Sequence, residues 1–422
     1  MKLREFQIKD MIFLLLVFYP ILPTNKYIGM LSLSNIDAML ITVLYFCANR
    51  SIVNVFHYAP FHWLYLIVYA LFCLSTATAM TAVSWLCSTF LVSIVLISII
   101  RDEKDIHRCI NCLAIGSFLM SIIGLTETVT STYLIQGDLY AGWSDSLRYG
   151  FLRCAGSFGH PINFGFFQAI VALILFHQIK TKDLMQKQKW RYILVYCLAV
   201  ASMMCTVSRL PIFFFVVAQS IYILQMGVKK ALKYFLIMLL ALFGFLIVAE
   251  VCGINIFLFA FDFFASVLKL LGISNQIDYS AVKGFGNRVD LYKWVIDAVD
   301  SNWIFGKGIN ATFSYKMTSW FTKTSIEVHY LYIFFKCGII GLFFLVAGYF
   351  SILLFLKKAK RMFSKKEYEK SFIRILSIII PLYYICLFGV QETDTTKIVC
   401  EIIAIGIANV RCVNKKMERE NV

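Results

Sequence analysis

Stretches of about 20 predominantly apolar residues recur along the chain, and they constrain its fold more than any other feature. A helix of about that length crosses the roughly 30 Å hydrocarbon core of a bilayer. Hydrophobic residues make up 60% of the 422 positions and charged residues only 15%. Soluble proteins carry about 25% charged residues. The sequence therefore predicts an all-α membrane protein.

The apolar blocks predict about twelve transmembrane helices in a single polytopic membrane domain that covers residues 1–422. Ordered along the chain, the predicted spans lie at about residues 10–28, 31–49, 61–79, 81–100, 108–128, 161–179, 192–208, 210–227, 232–252, 329–356, 372–390 and 394–411. No matched pair of broken spans, the usual sign of an alternating-access transporter, is apparent in the two halves.

The basic residues predict the orientation of these spans. The formal net charge is +16, but Lys and Arg lie in short runs between apolar spans, which does not indicate a nucleic-acid partner. With the N-terminus inside, most of these runs fall in short cytoplasmic loops, as the positive-inside rule requires. We expect a multi-pass membrane protein, surrounded by lipid, with both termini in the cytoplasm.

Two long connections fall on the predicted outer side, at residues 129–160 and 253–328. Binding residues often lie on long connections of this kind. Within the second, apolar residues recur at helical spacing and predict an amphipathic helix that starts near Asn287 and ends before two glycines. The residues of this pattern are Val289, Tyr292, Ile296, Val299 and Trp303, followed by Gly306 and Gly308.

Three arginines stand out on the predicted outer face, which is otherwise poor in basic residues. Arg153 precedes the sixth span, Arg209 ends the seventh, and Arg288 lies in the long outer loop. A guanidinium can hold phosphate oxygens through two hydrogen bonds at once. The three arginines are therefore candidates for binding a lipid pyrophosphate; the alternative is that they are solvated or snorkelling side chains.

His329 opens the predicted tenth span and is a candidate general base for a sugar hydroxyl. A structural role at a helix start is the alternative. Lys336 follows two turns later, roughly 10 Å deeper along a straight helix. A cation at that depth faces a polar cavity or a partner, so Lys336 is either a site residue or part of an internal ion pair.

His160 and Glu392 are possible secondary site residues at outer turns. Capping is the alternative for His160, and a solvated loop is the alternative for Glu392. The sequence contains no Walker-type glycine loop, HExxH motif or paired Cys/His metal site. We therefore expect neither a metal nor a cofactor.

Several motifs in this order resemble the O-antigen ligase and polymerase superfamily of bacterial membrane glycosyltransferases. They are RCAGSFGHPINFG before a span, the SR pair of TVSRL, and GNRVDLYKW…WIFGKGIN followed by EVHYLYIFFKCGIIGL. The resemblance implies a GT-C-like fold with a large, partly helical extracytoplasmic loop between spans nine and ten. Where the family commonly has Asn after the histidine, this chain has Tyr330.

The resemblance also implies an activity, which is metal-independent transfer of a glycan from an undecaprenyl-pyrophosphate carrier to an acceptor hydroxyl outside the membrane. Arg153, Arg209 and Arg288 match positions that engage the pyrophosphate, and Arg288 and His329 are the implied catalytic residues. Further implied partners are a flippase and a chain-length regulator.

Three functions remain open from the sequence. The favoured one is polymerisation of lipid-linked oligosaccharide repeat units for capsule, exopolysaccharide or O-antigen. A ligase of the same superfamily, which moves a finished glycan such as O-antigen onto lipid A core, a teichoic-type polymer or protein, is the second. A transporter or flippase for lipid-linked glycans is the third, although it predicts more charged residues within the membrane interior.

Overall fold

The computed structural model describes residues 2–24, 26–28, 31–48, 52–136, 147–148, 151–181, 185–227, 232–233, 286–316, 322–391 and 395–420. The protein is mostly helical, at 77%. In chain order the described helices are α1 (Lys2–Phe18), α2 (Leu33–Ala48), α3 (Pro60–Thr76), α4 (Ala79–Trp85), α5 (Val92–Ile99), α6 (Glu103–Thr130), α7 (Pro161–Thr181), α8 (Gln186–Cys205), α9 (Arg209–Leu224), α10 (Gly286–Val299), α11 (His329–Met362), α12 (Lys365–Lys370), α13 (Phe372–Cys386) and α14 (Thr396–Glu420).

The remaining regular elements are short. A π-helical turn (Leu86–Leu91) joins α4 to α5, and 3-10 turns lie at Val55–His57 and Asp300–Asn302. Three antiparallel pairs of two-residue strands complete the described structure. They are β1 (Tyr27–Ile28) with β2 (Leu31–Ser32), β3 (Leu147–Arg148) with β4 (Phe151–Leu152), and β5 (Tyr315–Lys316) with β6 (Thr322–Lys323).

Four of the described helical stretches are long and apolar enough to cross a membrane: Ala79–Ile99, Glu103–Thr130, Pro161–Thr181 and His329–Met362. Four shorter apolar helices, α2, α3, α9 and α13, accompany them. Each predicted span within the described residues contains a helix, but the first prediction is wrong over its second half, because α1 ends at Phe18 and β1 lies within residues 10–28. The predicted span 232–252 lies outside the described residues except for its first two positions. The fold is thus compatible with an all-α membrane protein, and the count of twelve spans stays a prediction.

Segments predicted to share one side of the membrane meet at one end of the bundle. Lys9 on α1 forms an ion pair with Asp105 on α6 at 2.6 Å. Arg411 on α14 donates a hydrogen bond to the carbonyl of Ile97 on α5. The loop after β4 contacts the turn after α1, and both belong to the opposite predicted side. These contacts agree with the predicted alternation of helix directions, while the assignment of one end to the cytoplasm stays a prediction.

Helix α11 reverses direction at Gly338, where the backbone leaves the helical region (φ 63°, ψ −162°). The rings of Tyr330 and Tyr349 are 6.1 Å apart, whereas their Cα atoms would be roughly 28 Å apart in a straight helix. Residues 329–337 therefore fold back against residues 339–362. The second part alone is roughly 36 Å long, enough to cross a membrane by itself.

The segment of residues 303–308 occupies the break in α11. Its backbone supplies partners for amide and carbonyl groups that the interrupted helix leaves without helical hydrogen bonds. These backbone hydrogen bonds are Ile339 N–H to Trp303 C=O (2.8 Å), Ile340 N–H to Ile304 C=O (3.3 Å), Lys307 N–H to Phe335 C=O (2.8 Å) and Gly308 N–H to Lys336 C=O (3.0 Å). A non-helical backbone is tolerated within a membrane bundle only when it is satisfied in this way.

Glycine is required where these two backbones touch. A Cβ on Gly306 would lie 2.5 Å from the nitrogen of Gly338, and one on Gly338 would lie 2.2 Å from the carbonyl oxygen of Ile304. Gly306 and Gly308 were expected to end the amphipathic helix, and that expectation is wrong. Helix α10 ends earlier, at Val299, and these glycines let the chain approach α11.

The predicted amphipathic helix exists as α10, but only part of the predicted apolar pattern is buried. Leu291, Val295 and Val299 are fully buried against residues of α11, whereas Tyr292 and Ile296 are exposed. Tyr292 and Ile296 lie one position further along the helix than Leu291 and Val295, on an adjacent stripe. Because two neighbouring stripes of α10 are apolar, spacing alone does not identify the packed one.

Replacing Gly338 by Ala should destabilise the protein more than the same change at Gly227. Both have positive φ (63° and 99°), but Gly227 has no described atom within 4 Å of an added Cβ. We expect Gly227→Ala to cost about 1–2 kcal/mol for the left-handed backbone, and Gly338→Ala at least about 1–3 kcal/mol more for the steric overlap.

Thermal unfolding of both variants in detergent measures this difference. Equal melting temperatures for the two variants would contradict the backbone contact between residues 303–308 and α11.

Candidate functional site

A cavity of about 150 Å³ lies between α3, both parts of α11, α13 and α14. His62 on α3 and His329 on α11 both line it, and the other described lining residues on these helices are aromatic, hydroxylic or apolar. Gln391, in the turn between α13 and α14 that the sequence predicts to be outside, also lines it. The cavity therefore reaches the predicted outer end of the bundle.

His329 is the first residue of α11, as the sequence predicts, and it is buried with 4% of its surface exposed. Its backbone N–H lies within hydrogen-bond distance of the carbonyls of Leu387 (3.1 Å) and Val390 (3.2 Å) after α13. Its ring stacks on Tyr332 at a centroid distance of 6.5 Å. Backbone contacts to a second helix end thus fix His329 at the cavity.

His62 faces the same cavity and was not singled out by the sequence. It is 4% exposed, and neither ring nitrogen has a hydrogen-bond partner among the described residues. A buried polar group without a partner costs free energy, roughly 1–3 kcal/mol. The imidazole of His62 is therefore a candidate for binding a ligand in the cavity.

Tyrosine and tryptophan rings form the walls of the cavity. Tyr349 and Tyr384 stack with their centroids 3.7 Å apart, and Tyr69 packs on Trp85 at 4.4 Å. The tyrosine side chains add hydroxyl groups to a wall that is largely apolar. Such walls suit a ligand that presents both C–H faces and hydroxyl groups.

Arg153 is buried and bound by its own chain. Its Nε donates to the carbonyl of Thr206 at 3.0 Å, and one terminal nitrogen donates to Oγ of Ser208 at 2.9 Å. These bonds tie the loop after β4 to the turn between α8 and α9. The guanidinium fork that was expected to hold phosphate oxygens therefore holds protein atoms in this structure.

Tyr133 reinforces the position of Arg153. Its hydroxyl donates to the carbonyl of Arg153 at 3.2 Å. Burial raises the pKa of Tyr133 to about 12, although the positive charge of Arg153 acts to lower it. The hydroxyl therefore stays protonated near neutral pH and remains a hydrogen-bond donor.

Arg209 directly follows Ser208 and begins α9, so the structure brings it close to Arg153 at the same end of the bundle. Arg288 lies in the first turn of α10, and its side chain falls outside the described part. The rings of Phe166 and Tyr383 connect the start of α9 with α13, beside the cavity. Phe166 packs on Phe214 of α9 at 5.4 Å and on Tyr383 at 5.5 Å.

The remaining candidate site residues are Lys336, His160 and Glu392. Lys336 donates from Nζ to the carbonyl of Ile309 at 2.6 Å, and also to that of Ala311. Lys336 thus contacts residues of the predicted outer connection, and its depth relative to His329 in the membrane stays a prediction. Nδ1 of His160 accepts from the backbone N–H of Ile162 at 3.1 Å, a capping contact at the start of α7. Glu392 lies outside the described residues.

Glu127, near the end of α6, was also missed by the sequence analysis. Its fully buried carboxylate accepts backbone N–H groups from the outer connection after α6. The donors are Leu134 (3.1 Å), Ala155 (3.0 Å) and Gly156 (2.9 Å). A single carboxylate thereby orders the connection that carries Arg153.

Buried charged residues also lie on α2 and α14. Asp37, Lys397 and Glu401 are 4%, 6% and 1% exposed. Lys397 donates to Oγ of Ser34. Neither oxygen of Glu401 has a hydrogen-bond partner among the described residues. Helices α2 and α14 therefore carry more buried charged residues than the sequence led us to expect.

Replacing Glu127 by Gln should destabilise the protein by about 1–3 kcal/mol, because an amide NH2 would face backbone donors and leave at least one of them buried without an acceptor. The matched control is Glu418→Gln on the exposed end of α14, which should have no measurable effect. Thermal unfolding in detergent, with limited proteolysis of the connection after α6, tests this. A Glu127→Gln protein as stable as the control would show that the carboxylate does not order this connection.

Neither a scan against models of known protein families nor a search of curated proteins returns a match to this chain. The resemblance to the O-antigen ligase and polymerase superfamily accordingly rests on the motifs and on the order in which they occur.

Proposed function

We propose that the chain is a membrane glycosyltransferase that polymerises undecaprenyl-pyrophosphate-linked oligosaccharide repeat units on the outer face of the bacterial cytoplasmic membrane. The observation that supports this most is the position of His329. The histidine that the motif order singles out lies in a cavity with hydroxyl and aromatic walls that reaches the predicted outer end. A snorkelling or purely capping residue would not require such surroundings.

The proposed reaction is a displacement at the anomeric carbon of the donor glycan. The acceptor hydroxyl oxygen attacks this carbon, and His329 takes the hydroxyl proton as general base. The bond from the anomeric carbon to the pyrophosphate oxygen breaks, and the polyprenyl pyrophosphate leaves with the electron pair. Direct attack of this kind inverts the anomeric configuration. The proposal uses no metal or cofactor.

Negative charge grows on the leaving pyrophosphate, and fixed cations stabilise it most when they are oriented beforehand. Arg153 supports this role less than expected because protein atoms already accept from its fork. We assign it to holding the α8–α9 turn, directly before Arg209. Arg209 and Arg288 remain the proposed pyrophosphate ligands.

A ligase of the same superfamily shares this chemistry and differs in its substrates. A deletion strain that accumulates single repeat units on the lipid carrier indicates a polymerase, whereas long carrier-linked chains indicate a ligase. The buried charges Asp37, Lys397 and Glu401 favour a transporter more than the sequence suggested. A transporter predicts that purified protein moves lipid-linked glycan across vesicle membranes without extending it.

His329→Ala and Arg288→Ala should leave the protein in the membrane and remove glycan extension. Loss of a general base costs about 10²–10⁴ in rate, and loss of one transition-state donor costs about 10²–10³. Controls are His57→Ala and Lys293→Ala, both exposed in the structure, and Lys293 shares α10 with Arg288. Carrier-linked glycans are measured by gel electrophoresis after each variant replaces the wild type. Polymer at wild-type length and amount in His329→Ala would rule out the assigned base.

A further inference from the structure

We propose that the cavity is a subsite for one neutral sugar ring at the reacting end of the acceptor, and that His62 is the residue that positions this ring. The proposal rests on the proposed function because it identifies the ligand of the same site. It adds a role for a residue that neither the motifs nor the resemblance includes.

The size of the cavity sets the first limit on its ligand. Its volume is about 150 Å³, and an engineered protein cavity of about that volume holds a single six-membered ring. A disaccharide or a pyrophosphate joined to a sugar exceeds this space. The cavity thus admits no more than one monosaccharide unit, with the rest of an oligosaccharide extending past Gln391 toward the outer end.

The lining sets the second limit, which is charge. Among the residues that the structure describes, no Lys, Arg, Asp or Glu side chain lines the cavity. A phosphate or a uronic acid would be buried there without a cation, at a large cost in free energy. An acyl chain would satisfy the apolar walls but would leave the polar groups of His62, Gln391 and Thr396 without new partners. A neutral sugar ring satisfies both, since it stacks its C–H faces on aromatic rings and shares its hydroxyls with the polar groups.

His62 provides the third observation. It is 4% exposed and lines the cavity. Both of its ring nitrogens lack a hydrogen-bond partner among the described residues. Its backbone is held in place because Gly348 allows α11 to pack closely against α3. A Cβ on Gly348 would lie 3.2 Å from Cα of His62. A neutral imidazole held in this way offers one donor and one acceptor, which matches the hydroxyl groups of a sugar.

The two histidines then have different tasks. His329 takes the proton from the attacking hydroxyl, and His62 holds other hydroxyls of the same ring so that the attacking oxygen is correctly placed. A residue that binds the acceptor equally in the ground state and in the transition state changes KM more than kcat. His62 and His329 should therefore differ in which kinetic constant they control.

The first experiment measures sugar binding without the donor, using the purified full-length chain in detergent. The probes are methyl glycosides of glucose, galactose, mannose and N-acetylglucosamine, and the signal is the fluorescence of Trp85, taken as the difference from a Trp85→Phe variant. We expect saturable binding of at least one probe. His62→Leu should weaken it by about tenfold, through the loss of hydrogen bonds in a dry site. His57→Ala should not change it, and His62→Gln should recover part of it.

The second experiment separates positioning from catalysis by using lipid-linked donor and oligosaccharide acceptor. His62→Gln should raise KM for the acceptor with little change in kcat, whereas His329→Ala should lower kcat. Melting temperatures of all variants show whether each one folds. A variant that has lost its fold is replaced by Tyr65→Phe, which removes one cavity hydroxyl and should also weaken binding of the probe.

The outcomes distinguish this inference from the proposed function. Glycan extension without saturable probe binding, or with equal binding by wild type and a folded His62→Leu variant, overturns the subsite and leaves the glycosyltransferase. Probe binding that depends on His62, in a protein that never extends a glycan, supports the subsite and overturns the proposed function. A fall in kcat with unchanged KM in His62→Gln overturns the positioning role.

Discussion

The structure depends on satisfying the backbone where α11 breaks. An interrupted helix leaves amide and carbonyl groups without helical partners, and each of them that is buried without another partner costs free energy. Residues 303–308 supply four hydrogen bonds to such groups, and Gly306 and Gly338 allow the close backbone contact that these bonds need. The outer connection is therefore part of the helical bundle, since without it the reversal at Gly338 would leave polar groups unsatisfied.

Charged side chains do similar work at other irregular points. Glu127 accepts three backbone N–H groups of the connection after α6, and Arg153 donates to the α8–α9 turn. Lys336 donates to two carbonyls of the outer segment. In each case a charged side chain, on a helix or in a connection, binds an irregular segment whose backbone lacks regular partners. A charge next to a predicted span is thus an ambiguous sign of chemistry, because holding a loop requires the same kind of residue.

The sequence predicted the helices well because the length of an apolar block is a direct physical requirement for crossing a bilayer. The start of α11 at His329 was predicted too. The reversal at Gly338 was missed, since residues 329–356 form one apolar block and the segment that breaks it is supplied from elsewhere in the chain. The apolar pattern predicted for α10 identified only part of its packed face, because two adjacent stripes of the helix are apolar. His62 gave no signal, because a lone histidine in an apolar span becomes informative only when its neighbours are known.

The reversal also creates the candidate site. In a straight α11, His329 would lie roughly 28 Å along the axis from Gly348, the residue that packs against His62. Folding residues 329–337 back brings His329 into the cavity that His62 lines. The distance between the two imidazoles therefore depends on the reversal, which residues 303–308 stabilise, as well as on the contacts of His329 with Leu387 and Val390. Because α10 continues directly into that segment and carries Arg288, movement of the outer connection would shift the proposed pyrophosphate ligand and the proposed base together. Coupling of this kind requires only that the connection and the broken helix share one set of backbone hydrogen bonds.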